Sequence, residues 1–185
     1  MKAATLRNFM VIATGSPEGE IEQRTRPLRD NNMIPYGPRG VHAPDIEAIH
    51  AALMLLSLTA RRVAGVGKIT IRASKLEAVE REGVEIRNAN LADTLAQMFE
   101  TEEFNNLQRL EVVEDGSMAW MRFPDKDVMF TDDENIIKLL KKNPSAYDDQ
   151  GSGMARFHRT FGIGLLKQIA FQINDTWRPD SDGEG

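Results

Sequence analysis

The stretch Asp45–Asp93 constrains the fold most, because five elements can be read from it in order: helix, strand, short helix, strand, helix. Pro44 followed by Asp45 and Glu47 marks a helix start, since proline suits a first turn and acids favour the positive end of the helix dipole. Ile46, Ile49, Leu53, Leu56 and Ala60 then recur at helical spacing, and Gly65 ends the run. Lys68–Ala73 reads as a strand with Ile69 and Ile71 facing inward, Ser74–Glu82 as a short helix stopped by Gly83, and Val84–Arg87 as another strand. Asn90-Leu-Ala-Asp93 opens a last helix reaching Phe104, with Leu91, Leu95, Met98 and Phe99 on its apolar side.

The flanks add two groups. Leu6–Thr14 and Glu20–Leu28, joined by the turn Ser16-Pro17-Glu18-Gly19, predict a hairpin of strands, followed by the loop Asp30–Ala43 with its prolines, glycines and arginines. Leu107–Val113, Met118–Phe123 and Val128–Phe130, separated by turns at Asp115-Gly116 and Pro124–Asp127, predict an antiparallel meander. Thr131-Asp-Asp-Glu134 reads as a capping box before a helix over Asn135–Lys142. Asn143–Gly153 reads as a loop, Met154–Ile173 as a helix that Gly162 and Gly164 kink or divide, and residues 174–185 as a disordered acidic tail. The expected class is α+β, with a mixed sheet and helices followed by the meander and C-terminal helices. Residues 1–104 would form the core, residues 105–173 would pack on it, and residues 174–185 would be a tail.

Of the 185 residues, 41% are hydrophobic and 28% charged, enough to bury a core. With no cysteine, disulfides, thiolate nucleophiles and thiolate zinc sites are excluded. The longest apolar stretch, Ala51–Leu56 with Leu58, is too short to span a bilayer, and the N-terminus has too short an apolar run for export. The expectation is a cytoplasmic protein, of a cell or of an infected host cell, with no membrane partner. Charge is uneven: residues 1–75 carry 11 Lys/Arg against 6 Asp/Glu, a balance of +5, and the remainder carry 12 against 22, a balance of −10. Such asymmetry fits a basic binding face, head-to-tail self-association, or neutralisation within the fold.

Ile12-Ala13-Thr14-Gly15-Ser16 at the end of the first predicted strand, Glu47-Ala-Ile-His-Ala-Ala-Leu53, Ala73-Ser74, and Asn90-Leu91-Ala92-Asp93-Thr94-Leu95-Ala96 together resemble the ribonuclease-H-like superfamily over residues 9–104. The resemblance implies a parallel strand pair with carboxylates at its end, holding two divalent ions against a phosphodiester. Thr14 and Ala73 stand where that family carries acids, so the set is catalytically incomplete. Glu47 and Asp93, with Asp45 recruited, are the candidate catalytic residues of a divergent nuclease. Mg²⁺ would be its cofactor, and no cofactor is expected otherwise. The same three acids also fit the first turns of helices, where capping explains them without chemistry.

Other patterns are weaker. Glu47 and His50 form a Glu-x-x-His pair on one helix face, without the second pair a bundle metal site needs, and His42 and His158 have no recognisable partners. Gly65-Val-Gly67-Lys68-Ile69-Thr70 has Ile69 between Lys68 and Thr70 and reads as leading from a helix into a strand, unlike a phosphate loop. Arg24, Arg26, Arg29, Tyr36, Arg39, Arg61 and Arg62, with Lys68 and Arg72, are candidates for a nucleic-acid face. Asp125, Asp127, Asp132, Asp133 and Glu134 form an acidic cluster that lacks calcium-loop spacing. The expected function is a non-catalytic binding or assembly protein acting through a protein partner or self-association, with nucleic acid as a further partner. The alternatives are the divergent nuclease and a structural subunit of a homo-oligomer.

Overall fold

The computed structural model describes residues 2–37, 44–79, 90–125, 127–142 and 158–175. The chain starts with two helices, α1 (Ala3–Thr14) and α2 (Glu18–Asp30), where strands were expected. The alternation in the second segment is incidental. Ile21, Arg24, Thr25 and Leu28 are its buried residues, spaced as one helix face requires. Glu18 and Glu20 occupy the first turn, and Glu20 pairs with Arg24 one turn later at 2.8 Å. Gly15, left-handed at φ +67°, ends α1 rather than turning a strand.

α3 (Ala48–Ser57) is buried at nearly every position, which makes it the central helix around which others pack. Ser57, its last residue, is followed by the exposed pair Arg61 and Arg62 and a 3-10 turn at Val63–Gly65. α4 (Val66–Ser74) replaces the expected strand over Lys68–Ala73. Its buried residues Val66, Gly67, Thr70 and Ala73 follow helical spacing, so packing overrides the strand preference of Ile69, Thr70 and Ile71. Gly65–Thr70 therefore opens a helix, contrary to expectation. A side chain at Gly67 would meet the Asn31 amide at 2.9 Å, so this glycine serves close approach to the end of α2.

α5 (Leu91–Thr101) forms where expected and lies against α3, α4 and the final helix α7 (Ile163–Asp175). The Asn174 side chain of α7 donates to Phe99 O (3.1 Å) and Glu102 Oε1 (2.8 Å), satisfying a carbonyl that the end of α5 leaves open.

Five strands make one antiparallel sheet in the order β1-β4-β3-β2-β5: β1 (Glu77–Ala78), β2 (Arg109–Val113), β3 (Met118–Arg122), β4 (Asp127–Thr131) and β5 (His158–Gly162). The meander is thus as predicted. β1 falls inside the expected short helix Ser74–Glu82, and β5 occupies part of the expected helix Met154–Ile173. Gly162 is where that segment changes from strand to helix. The expected strand Val84–Arg87, the loop over residues 143–153 and residues 176–185 of the expected tail lie outside the described residues, while Asn174 and Asp175, expected in that tail, end α7.

Alternation across the sheet separates two apolar layers. Leu110, Val112, Ala119, Met121, Val128, Phe130 and Phe161 join a cluster that runs from Leu6 to Ile173, so helices and meander share a core. On the opposite face Val79, Val113, Met118, Trp120 and Met129 gather under Ile136 of α6 (Glu134–Lys142). The cap of α6 is Asp133, whose Oδ1 accepts the Asn135 N–H at 2.9 Å, rather than the expected box from Thr131 to Glu134. Thr131 is buried and bonded to Ser117 O instead.

The α+β class therefore stands, and its internal plan is corrected. The segments that would carry a ribonuclease-H-like strand pair are α1 and α4, and every paired strand among the described residues is antiparallel. Among the described residues, no helix is long and apolar enough to cross a membrane.

Candidate functional site

The three candidate acids are occupied by local structure. Asn90 caps α5: its Oδ1 accepts the Asp93 N–H at 2.9 Å, and its Nδ2 donates to Asp93 Oδ2 at 2.5 Å. Glu47 precedes α3 as its N-cap residue, and its N–H donates to His50 Nδ1 at 3.0 Å. The Glu-x-x-His spacing thus serves helix capping, with an imidazole in the place a Glu or Gln takes in a capping box. Asp45 pairs with Lys2 at 3.2 Å, and the two residues also form a backbone bridge. Thr14 ends α1 with its hydroxyl donating to Met10 O, and Ala73 is buried in α4. Among the described residues, no three histidine or carboxylate side chains gather into a group able to hold a metal ion.

The acidic cluster after β3 also separates into local roles. Asp127 pairs with Arg122, Asp132 grips Arg72 with two bonds of 2.5 and 2.8 Å, Asp133 caps α6, and Glu134 pairs with Lys138 at 3.1 Å. Asp125 is exposed in the turn before β4.

The basic residues do not share one condition. Arg24 is 4% exposed, and its guanidinium donates to Glu20, to Ser57 O at 3.0 Å and to Ala60 O at 2.7 Å. It binds α2 to the carbonyls at the end of α3, so it belongs to the core and not to an open face. Arg29 pairs with Glu22 at 2.9 Å, and Arg7 of α1 pairs with the same carboxylate. Burial raises the Glu22 pKa, but the hydrogen bonds from Arg7 and Arg29 outweigh it and hold the carboxyl below its ordinary range. Arg26, Arg61, Arg62 and Lys68 are exposed, as is Tyr36. Arg39 and His42 lie outside the described residues, and His158 begins the edge strand β5.

A charged ladder crosses the outer face of the sheet beside the apolar layer under α6. Glu111, 8% exposed, accepts from Arg109 (2.8 Å) and Arg122 (2.9 Å), and Arg122 lies over the Trp120 ring at 5.4 Å from its centroid. Burial pushes the Glu111 pKa up, but the two guanidinium hydrogen bonds outweigh it, so the carboxyl ionises below its ordinary range. Every charge in this ladder is answered by an opposite one.

The feature that local structure does not absorb lies on α1 and α7. Phe9, Lys167, Gln168, Phe171 and Gln172 line an open groove of about 460 Å³. Phe171 is 55% exposed, and Ile12, one turn beyond Phe9 on α1, is 81% exposed. These two side chains and Tyr36 are the large hydrophobics left most open among the described residues. The face therefore holds projecting apolar side chains beside an aromatic-floored hollow, edged by a lysine and two amides. The face is not evident in the sequence because Leu6–Thr14 has local strand preference, whereas it forms a helix. The available signal was the apolar run Phe9-Met10-Val11-Ile12-Ala13, which on a helix spreads around more of the surface than one core contact can cover.

No protein-family model, curated protein or solved structure matches this chain.

Proposed function

We propose that this chain is a non-catalytic assembly protein that associates with a second copy of itself through the α1–α7 face. The observation that carries the reading is the groove lined by Phe9, Lys167, Gln168, Phe171 and Gln172, with Phe171 55% exposed and Ile12, one turn beyond Phe9 on α1, 81% exposed. A two-fold interface requires a patch complementary to itself, and a knob beside a hollow meets that requirement. Phe171 is 55% exposed, so covering the rest of its surface is worth about 1 kcal/mol, and two reciprocal insertions contribute about twice that to a dimer.

Sizing by light scattering tests it. Phe171→Asp and Ile12→Asp are expected to give a folded monomer that melts where dilute, monomeric wild type does, because both side chains are exposed in the single chain. The wild type is expected to dimerise as concentration rises and to remain dimeric in high salt, since apolar contacts are not screened. Dissociation by salt would instead favour the reading in which basic and acidic halves meet. A wild-type protein unaffected by either substitution would overturn the assignment of the face.

A further inference from the structure

We propose that His50 is a pH-sensitive latch that fastens residues 44–47, and with them the start of α1, to the head of α3. The connection is continuous. Glu47 N–H donates to His50 Nδ1 at 3.0 Å, and Asp45, two residues earlier, holds Lys2 through an ion pair of 3.2 Å and a backbone bridge. Lys2 immediately precedes α1, so one imidazole secures the junction between the first helix and the central one.

An imidazole nitrogen accepts a hydrogen bond only while it carries no proton, which fixes the ring as the neutral form with its hydrogen on Nε2. Protonation places a second donor against the Glu47 N–H. The ring must then turn away, and the cationic imidazole finds its nearest counter-charge in the Glu47 carboxylate, leaving the amide unsatisfied.

The surroundings favour the neutral state. Burial of the ring lowers the His50 pKa from its ordinary value of 6.5, and the Glu47 carboxylate opposes that only in part. Among the described residues Glu47 is the charge that acts on the ring; α2, α4, α5 and α7, which pack on α3, contribute none, and the neighbouring Lys2 and Asp45 answer each other. With the closed-state pKa below that of the open chain, the open state takes up the proton first. The latch is therefore at full strength above about pH 6.5 and weakens as pH falls below it.

Amide exchange read by NMR tests the latch. The protection factor of the Glu47 N–H is expected to drop about fivefold between about pH 7.5 and pH 5.5, the loss a helix cap represents. In His50→Gln, whose amide oxygen accepts at both pH values, protection should stay constant. Constant protection in the wild type, or an equal drop in His50→Gln, would overturn the proposal. The ¹⁵N shifts of the wild-type ring give a second check: a neutral ring protonated on Nδ1 at about pH 7.5 would also overturn it.

Discussion

Arg24 shows how a surface-type residue becomes structural. Its guanidinium donates to Glu20 and to the carbonyls of Ser57, the last residue of α3, and Ala60, three residues beyond it. Arg24→Ala is expected to lower stability by about 2–3 kcal/mol in a denaturant titration, because it strands those carbonyls away from water. Arg26→Ala, on the exposed side of the same helix, should stay within about 0.5 kcal/mol of wild type. A test of nucleic-acid binding therefore belongs on Arg26, Arg61, Arg62 and Lys68, where loss of binding would not be confused with loss of fold. Glu111 supplies a pH signature. Its folded-state pKa lies below the ordinary value of 4.5, so its ion pairs contribute fully above that pH and are lost as pH falls further. Glu111→Gln should flatten the stability profile below about pH 4.5 while lowering stability at neutral pH, measured by thermal melts across the range.

At the level of elements, close packing at the β2–β3 turn leaves little freedom. Gly116 has φ +71°, and a Cβ there would lie 2.7 Å from Ile69 O on α4. Gly116→Ala is expected to cost about 2 kcal/mol or more in melting experiments, through both the left-handed backbone and the clash. Gly164 in the first turn of α7 has open space around it, so Gly164→Ala should be neutral or stabilising by up to about 1 kcal/mol. The same contrast explains what could be read from sequence. The meander was legible because Asp115-Gly116 and alternating apolar residues carry local turn and strand chemistry. α5 was legible because its cap and apolar spacing agree, and α3 was legible in its middle, although the helix expected from Pro44-Asp45 to Gly65 spans only Ala48–Ser57. α1, α2 and α4 were not, since β-branched residues and Pro27 favour strands or breaks locally, and only tertiary packing selects the helical period. β5 escaped because its exposed side chains carry no apolar alternation and its strand status comes from pairing with β2. Glu47 and Asp93 were legible as helix starts, and that is the role they fill, whereas Asp45, expected in the same first turn, lies ahead of α3 and pairs with Lys2.

Among the described residues, α2, α4, α5 and α7 pack around α3, the sheet is covered by apolar layers on both faces, and the buried Arg24 and Glu111 are matched by partners. Against that background the α1–α7 face is an exception, leaving Phe171 and Ile12 in water beside a hollow of matching character. These exposed apolar side chains beside Lys167, Gln168 and Gln172 are what the proposed self-association would cover. Sedimentation equilibrium over a wide concentration range, on wild type and Phe171→Asp side by side, measures this most directly. The expected result is a reversible monomer–dimer equilibrium for the wild type and a single monomeric mass for the variant. A wild type that keeps the mass of one chain at every concentration would contradict self-assembly through this face.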